Sequence, residues 1–295
     1  MVLPRSALSA KGSAPWRQEV LENGAFTDTT MVLNTGGWVF DDAEHRYTIG
    51  LLALRKGRSH AGEVALRGPF SNLVRFQNGI KLPPARFPVQ EFLSWSDAAS
   101  FPLLPSADAV GVFQKLRAHP RLDADHGAWR ARPATEFHAT NDKKYMVLAD
   151  NDASEEAWPV YKGASFNLWQ PDTGTYYAWA EPSVVTNELQ QRRIRGQRMS
   201  RSAFSEFSRE WASDPETLSC WYPRIAFRDI ARATDTRTMI ACLLPGERVL
   251  TNKAPYLLWP RGDERDEAFL LGVLCSMPLD WYARRVVEVS VNFHL

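Results

Sequence analysis

"YTIGLLALRKG", Tyr47 to Gly57, is a nearly unbroken apolar run that ends on Arg55 and Lys56. A strand with one wet face alternates apolar and polar residues, whereas one covered on both faces reads as a continuous apolar run. The stretch therefore sets the expectation of a parallel or mixed α/β sheet. Outward from it, "TTMVLN" (Thr29–Asn34) reads as a second strand. "APWRQEVLENG" reads as a helix of about two turns stopped by Gly24. "MVLP", at the start of the chain, reads as the end of a buried strand. Residues 1–57 thus read as strand, helix, strand, strand: the tail half of an α/β sheet whose front half lies outside this chain.

Residues 58–105 are rich in Pro and Gly ("KLPPARFPVQEF", "SFPLLPSAD") and read as irregular. Ser106 is placed to cap a helix reaching about His119, with Val110, Phe113 and Leu116 on one face. From about Trp129 short strand-like pieces ("KYMVLA", "YYAWA", "RIAF", "MIACLL", "RVLTN", "PYLLWP") alternate with turns and helices. The division expected is 1–57, a connector over 58–130, and an α+β domain over 131–295. Two helices stand out, "SRSAFSEFSREW" with Phe204, Phe207 and Trp211 on one stripe, and "DERDEAFLLGVLCSM", opened by acids and ended by Pro278.

Composition narrows the function. The 295 residues carry a formal charge of +1, so no global basic field marks a nucleic-acid partner and any such surface is local. Residues 190–237 hold ten Arg and no Lys against six acids, a local excess of four. Arginine without lysine favours planar, bidentate contact with phosphate or carboxylate. The three cysteines (Cys220, Cys242, Cys275) are widely spaced without a CxxC, which fits small buried residues in a reducing cytoplasm. The longest apolar stretch, "AFLLGVLCSM", is too short to span a bilayer.

Catalytic and metal motifs are missing. The six His (45, 60, 119, 126, 138, 294) have no ligand spacing, and no GxSxG, GxGxxG or Walker motif occurs. Asp41, Asp42 and Glu44, and likewise Asp150 and Asp152, read as solvated turns rather than metal sites.

"WYPRIAFRDIARATDTRT", Trp221 to Thr238, is the stretch with a function to explain, because it sets Arg224, Arg228, Arg232 and Arg237 among apolar residues. As a strand, "PRIAFRDI" turns Arg224 and Arg228 one way and Ile225 and Phe227 the other. That is a DNA-facing strand with an apolar back. As a helix, Arg224, Arg228 and Arg232 align. The competing reading is internal ion pairing, with Asp229 and Asp235 the nearest candidates. "QQRRIRGQRMSR" (Gln190–Arg201), with Arg193 and Arg195, reads either as a solvated helix face or as a phosphate track.

Six segments also carry a resemblance: "VLPRSALSAKGSAPWR", "LNTGGWVFDDAEHRYTIGLLALRKG", "VYKGASFNLW", "PRIAFRDIARATDTRTMIACLLP", "LTNKAPYLLW" and "LLGVLCSMPLDWYARRVVEVSVNFHL". In this order they resemble the C-terminal half of Eco57I-like adenine-specific DNA methyltransferases of restriction-modification and phage-defence systems. The resemblance implies the end of a Rossmann-like methyltransferase sheet followed by a target-recognition domain that binds duplex DNA. It places "VYKGASFNLW" at the start of that domain, making Lys162 a DNA-contact candidate and leaving Tyr161 and Trp169 either on the DNA side or in the core. Members bind S-adenosylmethionine on a glycine-rich turn and hold the target adenine with Asn-Pro-Pro-aromatic. Neither motif occurs here, so no residue is assigned to catalysis and no cofactor is expected for this chain alone. The resemblance implies instead a partner half or subunit that supplies both. A stand-alone DNA-binding specificity protein and a non-functional gene fragment are the alternatives.

Overall fold

The computed structural model describes residues 1–45, 47–57, 62–95, 98–124, 130–148, 153–233, 235–287 and 290–291. His60, His126, Asp150, Asp152 and His294 lie outside these. The chain forms two compact units, Met1–His119 and Pro120–Leu295, and is mixed α/β with several sheets.

The first unit runs β1 (Val2–Pro4), α1 (Arg5–Ser9), α2 (Ala14–Asn23), β2 (Gly24–Leu33), β3 (Thr48–Lys56), β4 (Glu63–Phe70), α3 (Leu73–Gly79), β5 (Ala85–Pro88), α4 (Val89–Trp95) and α5 (Ala107–Arg117). Its sheet has the order β1-β3-β2-β4-β5. β3 is antiparallel to both β1 and β2, β4 is parallel to β2, and β5 is antiparallel to β4. The opening run is β3, covered on both faces from Thr48 to Leu52 apart from the half-buried Leu51, and opening to solvent from Ala53. A Cβ on Gly50 would stand 2.7 Å from Leu8 Cδ1, so glycine lets α1 lie close over the strand.

The expected connector is not one. Residues 63–117 supply β4, β5 and three helices of this unit. The Pro and Gly content that suggested irregular chain serves the sheet. Gly68 lies in β4 at φ +83°, where a Cβ would meet Met31 O at 2.2 Å. Pro88 ends β5, an edge strand, which tolerates a missing N–H. The helix capped by Ser106 forms as expected, with Val110 and Phe113 buried. Arg17, fully buried, donates to the carbonyls of Ala7 (2.7 Å), Ala10 (2.9 Å), Ala98 (2.6 Å) and Ala99 (2.9 Å). Burial lowers its pKa to about 10.

The second unit runs β6 (Arg130–Ala134), β7 (Trp158–Tyr161), β8 (Ala178–Ala180), α6 (Pro182–Gln197), α7 (Arg209–Ser213), β9 (Arg224–Phe227), β10 (Ala241–Leu244), β11 (Val249–Leu250), β12 (Tyr256–Arg261), α8 (Glu264–Leu274) and α9 (Met277–Val286). An antiparallel sheet has the order β10-β9-β12-β6, and a smaller one the order β11-β7-β8. On one side of β9, Ile225 and Phe227 share a core with Leu270 and Leu274 of α8 and Ala283 of α9. On the other, Ala226 shares a core with Tyr161, Phe166, Leu250 and Tyr256. The alternation expected for "RIAF" is therefore present, but both faces are covered.

"SRSAFSEFSREW" is not one helix. Ser202 and Ser208 accept hydrogen bonds from Phe204 N and Trp211 N, capping a 3-10 turn at Ala203–Glu206 and the separate α7. Phe207 and Trp211 still stack, their ring centroids 4.0 Å apart. α8 forms as expected, with a reciprocal cap between Asp263 and Asp266. Pro278 falls in the first turn of α9. Among the described residues no helix is long and apolar enough to cross a membrane.

Candidate nucleic-acid interface

β9 carries Arg224 at its start and delivers Arg228 one residue past its end, on the side of Tyr161 and Phe166. The two arginines meet different fates. Arg224 is 4% exposed and donates to both carboxylate oxygens of Glu136, at 2.9 and 3.1 Å. It also donates to Arg248 O at 2.8 Å, and Leu250 N donates to Glu136 at 2.6 Å. Burial pushes the Glu136 carboxyl upward, opposed by Arg224 and the Leu250 N–H. This dry ion pair corrects the expectation that Arg224 faces DNA, and its acid is neither Asp229 nor Asp235.

Arg193 is likewise a structural residue. It is 2% exposed and donates to Ala212 O at 3.1 Å, to Thr217 Oγ1 at 3.0 Å and to Asp214 O. Its guanidinium lies 4.5 Å from the Trp211 ring centroid. Arg192 pairs with Asp142 at 2.7 Å and Glu188 at 2.8 Å. Arg237 turns inward to Cys275 O, 2.7 Å, beside Asp280. From the second basic run, Arg195 stays exposed, 3.8 Å from Glu188, and Arg198 and Arg201 are exposed at the end of α6 and just beyond it. Arg198 and Arg201 were not singled out from the sequence, although their position at and past the C-terminus of a helical pattern was the available signal. Arg232 is half-exposed in an irregular turn, its N–H donating to Asp235 Oδ2 at 2.9 Å, so the helical alignment with Arg224 and Arg228 does not arise.

Arg228 is half-buried and its guanidinium donates to a carbonyl, Phe166 O, through Nε (3.2 Å) and Nη2. Among the described residues neither Arg228 nor Lys162 has a carboxylate within 4.0 Å. Desolvation lowers the Arg228 pKa, with no acid opposing it. Gly163 lies against the Arg228 side chain, 3.6 Å from Cγ to the position of a Cβ. Lys162, just before it, is half-exposed. Asp229 accepts from Ser290 and pairs with Lys253 at 3.6 Å. The structure thus brings Gly163, the neighbour of Lys162, against Arg228, and no carboxylate among the described residues compensates the Arg228 charge.

The loop that Arg228 grips is tightly organised. Thr173 N donates to Ser165 O at 2.9 Å, and Asn167 and Gln170 exchange backbone hydrogen bonds at 2.8 and 3.1 Å. Asp172 holds Tyr161 at 2.6 Å and Tyr176 at 2.9 Å. Burial raises the Asp172 pKa less than the bonds from Tyr161, Gly174 and Tyr176 lower it. Phe166 is fully buried, and so is Tyr161. Trp169, by contrast, is 67% exposed with φ +58°, in a turn position that ordinarily wants glycine. Left-handed backbone at such a residue costs about 1–2 kcal/mol, and burying a phenylalanine returns about 1.5–3 kcal/mol, so the Phe166 anchor holds the turn.

No family model matches the chain, and no curated protein matches it. A solved structure does. It is the type IIG restriction endonuclease BpuSI, 13% identical, with a TM-score of 0.32, aligned over 92% of this chain and 36% of its own. The chain therefore spans about a third of that neighbour's length. At this TM-score the likeness assigns no residue a role.

The concavity of the first unit does not fit S-adenosylmethionine. A concavity of about 400 Å³ at the junction of α2 and β2 is lined by Leu21, Glu22, Phe26, Glu63, Val89 and Gln90. Gly24 and Gly62 also line it, but the strand-to-helix step on its wall, from Pro88 of β5 to Val89 and Gln90 of α4, holds no glycine. Among the described residues no cluster of His, Cys, Asp and Glu suits a metal ion. Asp41, Asp42 and Glu44 are exposed in a turn.

Proposed function

We propose that the second unit recognises duplex DNA, as the target-recognition part of an S-adenosylmethionine-dependent adenine-N6 DNA methyltransferase in a restriction-modification or phage-defence system. Catalysis and the cofactor site come from a methyltransferase half or subunit that this chain does not contain. The ordered resemblance of six segments supports the family reading. The single observation that supports DNA contact is the charge of Arg228, held against Gly163 with no acid among the described residues to neutralise it. Phosphate is the complement of such a pair of cations, and contacts of this kind position a protein on the duplex without reading sequence. Arg195, Arg198 and Arg201 form a second cationic stretch of the same chemistry, and Arg232 extends the set.

The absence of both methyltransferase motifs favours a second reading, a stand-alone DNA-binding specificity protein. Titrating a labelled duplex against salt tests the shared element, because each neutralised phosphate contributes about 0.9 to the slope of log affinity against log salt. A slope near zero overturns both readings. Adenine methylation on adding the protein encoded next to this gene selects the first, and DNA binding without methylation the second.

A further inference from the structure

The segment Tyr161–Gln170 buries Tyr161 and Phe166 completely and then sets Trp169 in solvent, 67% exposed, on left-handed backbone. An exposed indole in a strained position has no packing to gain there, and its placement points to a ligand. The turn beneath it is fixed from three directions. Phe166 anchors it in the core, Arg228 holds the Phe166 carbonyl, and Asn167 and Gln170 exchange backbone hydrogen bonds across the turn. The exposed Trp221 is different, since it packs edge-on against Trp158 at 4.8 Å.

We propose that Trp169 is a base-stacking residue of the DNA interface, its indole packing on a nucleobase where the duplex is locally opened. The proposal rests on the DNA-recognition reading and names a contact within that site. A hydrophobic protein partner would suit the indole alone. The neighbouring charge decides for nucleic acid: Lys162 lies in the same loop, Arg228 reaches that loop from the end of β9 at the Phe166 carbonyl, and neither has a carboxylate within 4.0 Å among the described residues. Cations that track phosphates beside an aromatic face that takes any base are the two elements of nucleic-acid grooves. The rigid base of the turn keeps the indole presented, so little ordering is needed on binding.

The experiment uses a labelled mixed-sequence duplex, fully matched and with one central mismatch, and the proteins wild type, Trp169→Gly, Trp169→Phe and Lys162→Ala. A mismatched base costs less to unstack, so the wild type binds the mismatched duplex more tightly. Trp169→Gly loses that preference, and its affinity falls about 5- to 150-fold with an unchanged salt slope. Trp169→Phe keeps most of both. Trp169→Gly melts no lower than the wild type, because glycine suits the backbone. If Trp169→Gly binds both duplexes as the wild type does while Lys162→Ala flattens the salt slope, the stacking role is overturned and DNA recognition stands. If the wild type binds neither duplex, both fall.

Discussion

The two ends of β9 hold the same side chain on the same side of one sheet. At its start Arg224 meets a carboxylate and is sealed from water. Just past its end Arg228 meets only a carbonyl and remains half-exposed. The Glu136 site offers two charges that cancel, and one partner cannot leave without stranding the other. Where Arg228 meets the 162–173 loop, no carboxylate among the described residues comes within 4.0 Å of its guanidinium. Residue type and strand face therefore say little about an arginine's task. What decides it is the group opposite and the water around it.

The sharpest test of this contrast is removal of Glu136. Glu136→Ala leaves the Arg224 guanidinium buried and unpaired, and is expected to cost about 3–5 kcal/mol in urea denaturation. The salt slope of DNA binding should not change. Should Glu136→Ala keep its urea midpoint but alter DNA affinity, Arg224 is not an internal charge.

The other end of the strand should answer in the opposite way. Arg228→Gln and Lys162→Ala are each expected to flatten the slope of log affinity against log salt by about 0.9 if the lost contact is to phosphate. Arg228→Gln keeps a donor for Phe166 O, so its stability should change by less than that of Glu136→Ala. Anisotropy titrations across salt concentrations, with urea midpoints alongside, measure both quantities.

Acid offers a subtler probe. The hydrogen bond from Arg192 to Asp142 lowers the carboxyl below its ordinary range. A folded pKa below the unfolded one contributes stability that is present above the unfolded value, about 3.9, and is lost as pH falls through the folded value. Urea midpoints followed downward from neutral pH should therefore fall on the acid side. Asp142→Asn should show a shallower acid limb and a lower plateau. An identical acid limb in the variant would remove Asp142 from the account. The smallest effect expected is at the turn itself. Trp169→Gly relieves about 1–2 kcal/mol of left-handed backbone strain but loses about 0.5–1 kcal/mol to glycine's backbone entropy, so stability should rise by about 1 kcal/mol in thermal melts.

Part of the first unit was legible because its signals are local, but β1, read as buried, is exposed at Val2, and β4, β5, α3 and α4 were all read as irregular connector. The apolar run at β3 announced cover on both faces, and Ser106 announced α5. β4 was lost because Gly68 and Pro69 look like loop residues until Met31 is seen to press against the glycine. In the second unit the alternation of Ile225 and Phe227 was readable, and what covers the arginine side was not. Glu136 lies 88 residues from Arg224 in the chain, so the nearest acids, Asp229 and Asp235, were the only candidates visible. Tyr161 and Trp169 were given the same alternatives, core or DNA side. Burial separates them, and no spacing rule would have placed a tryptophan where a turn prefers glycine.

Arg17 has a consequence for cutting and rejoining the protein. One guanidinium ties α1 and the residue after it to Ala98 and Ala99, over a separation of 81 residues to Ala98. β2 and β4, which also lie on either side of the β3–β4 connection, pair in parallel. A backbone break introduced between β3 and β4 would leave two pieces that recognise each other without a covalent link. Expressed as separate chains, residues 1–57 and 62–119 should copurify as one species, and Arg17→Met should release them.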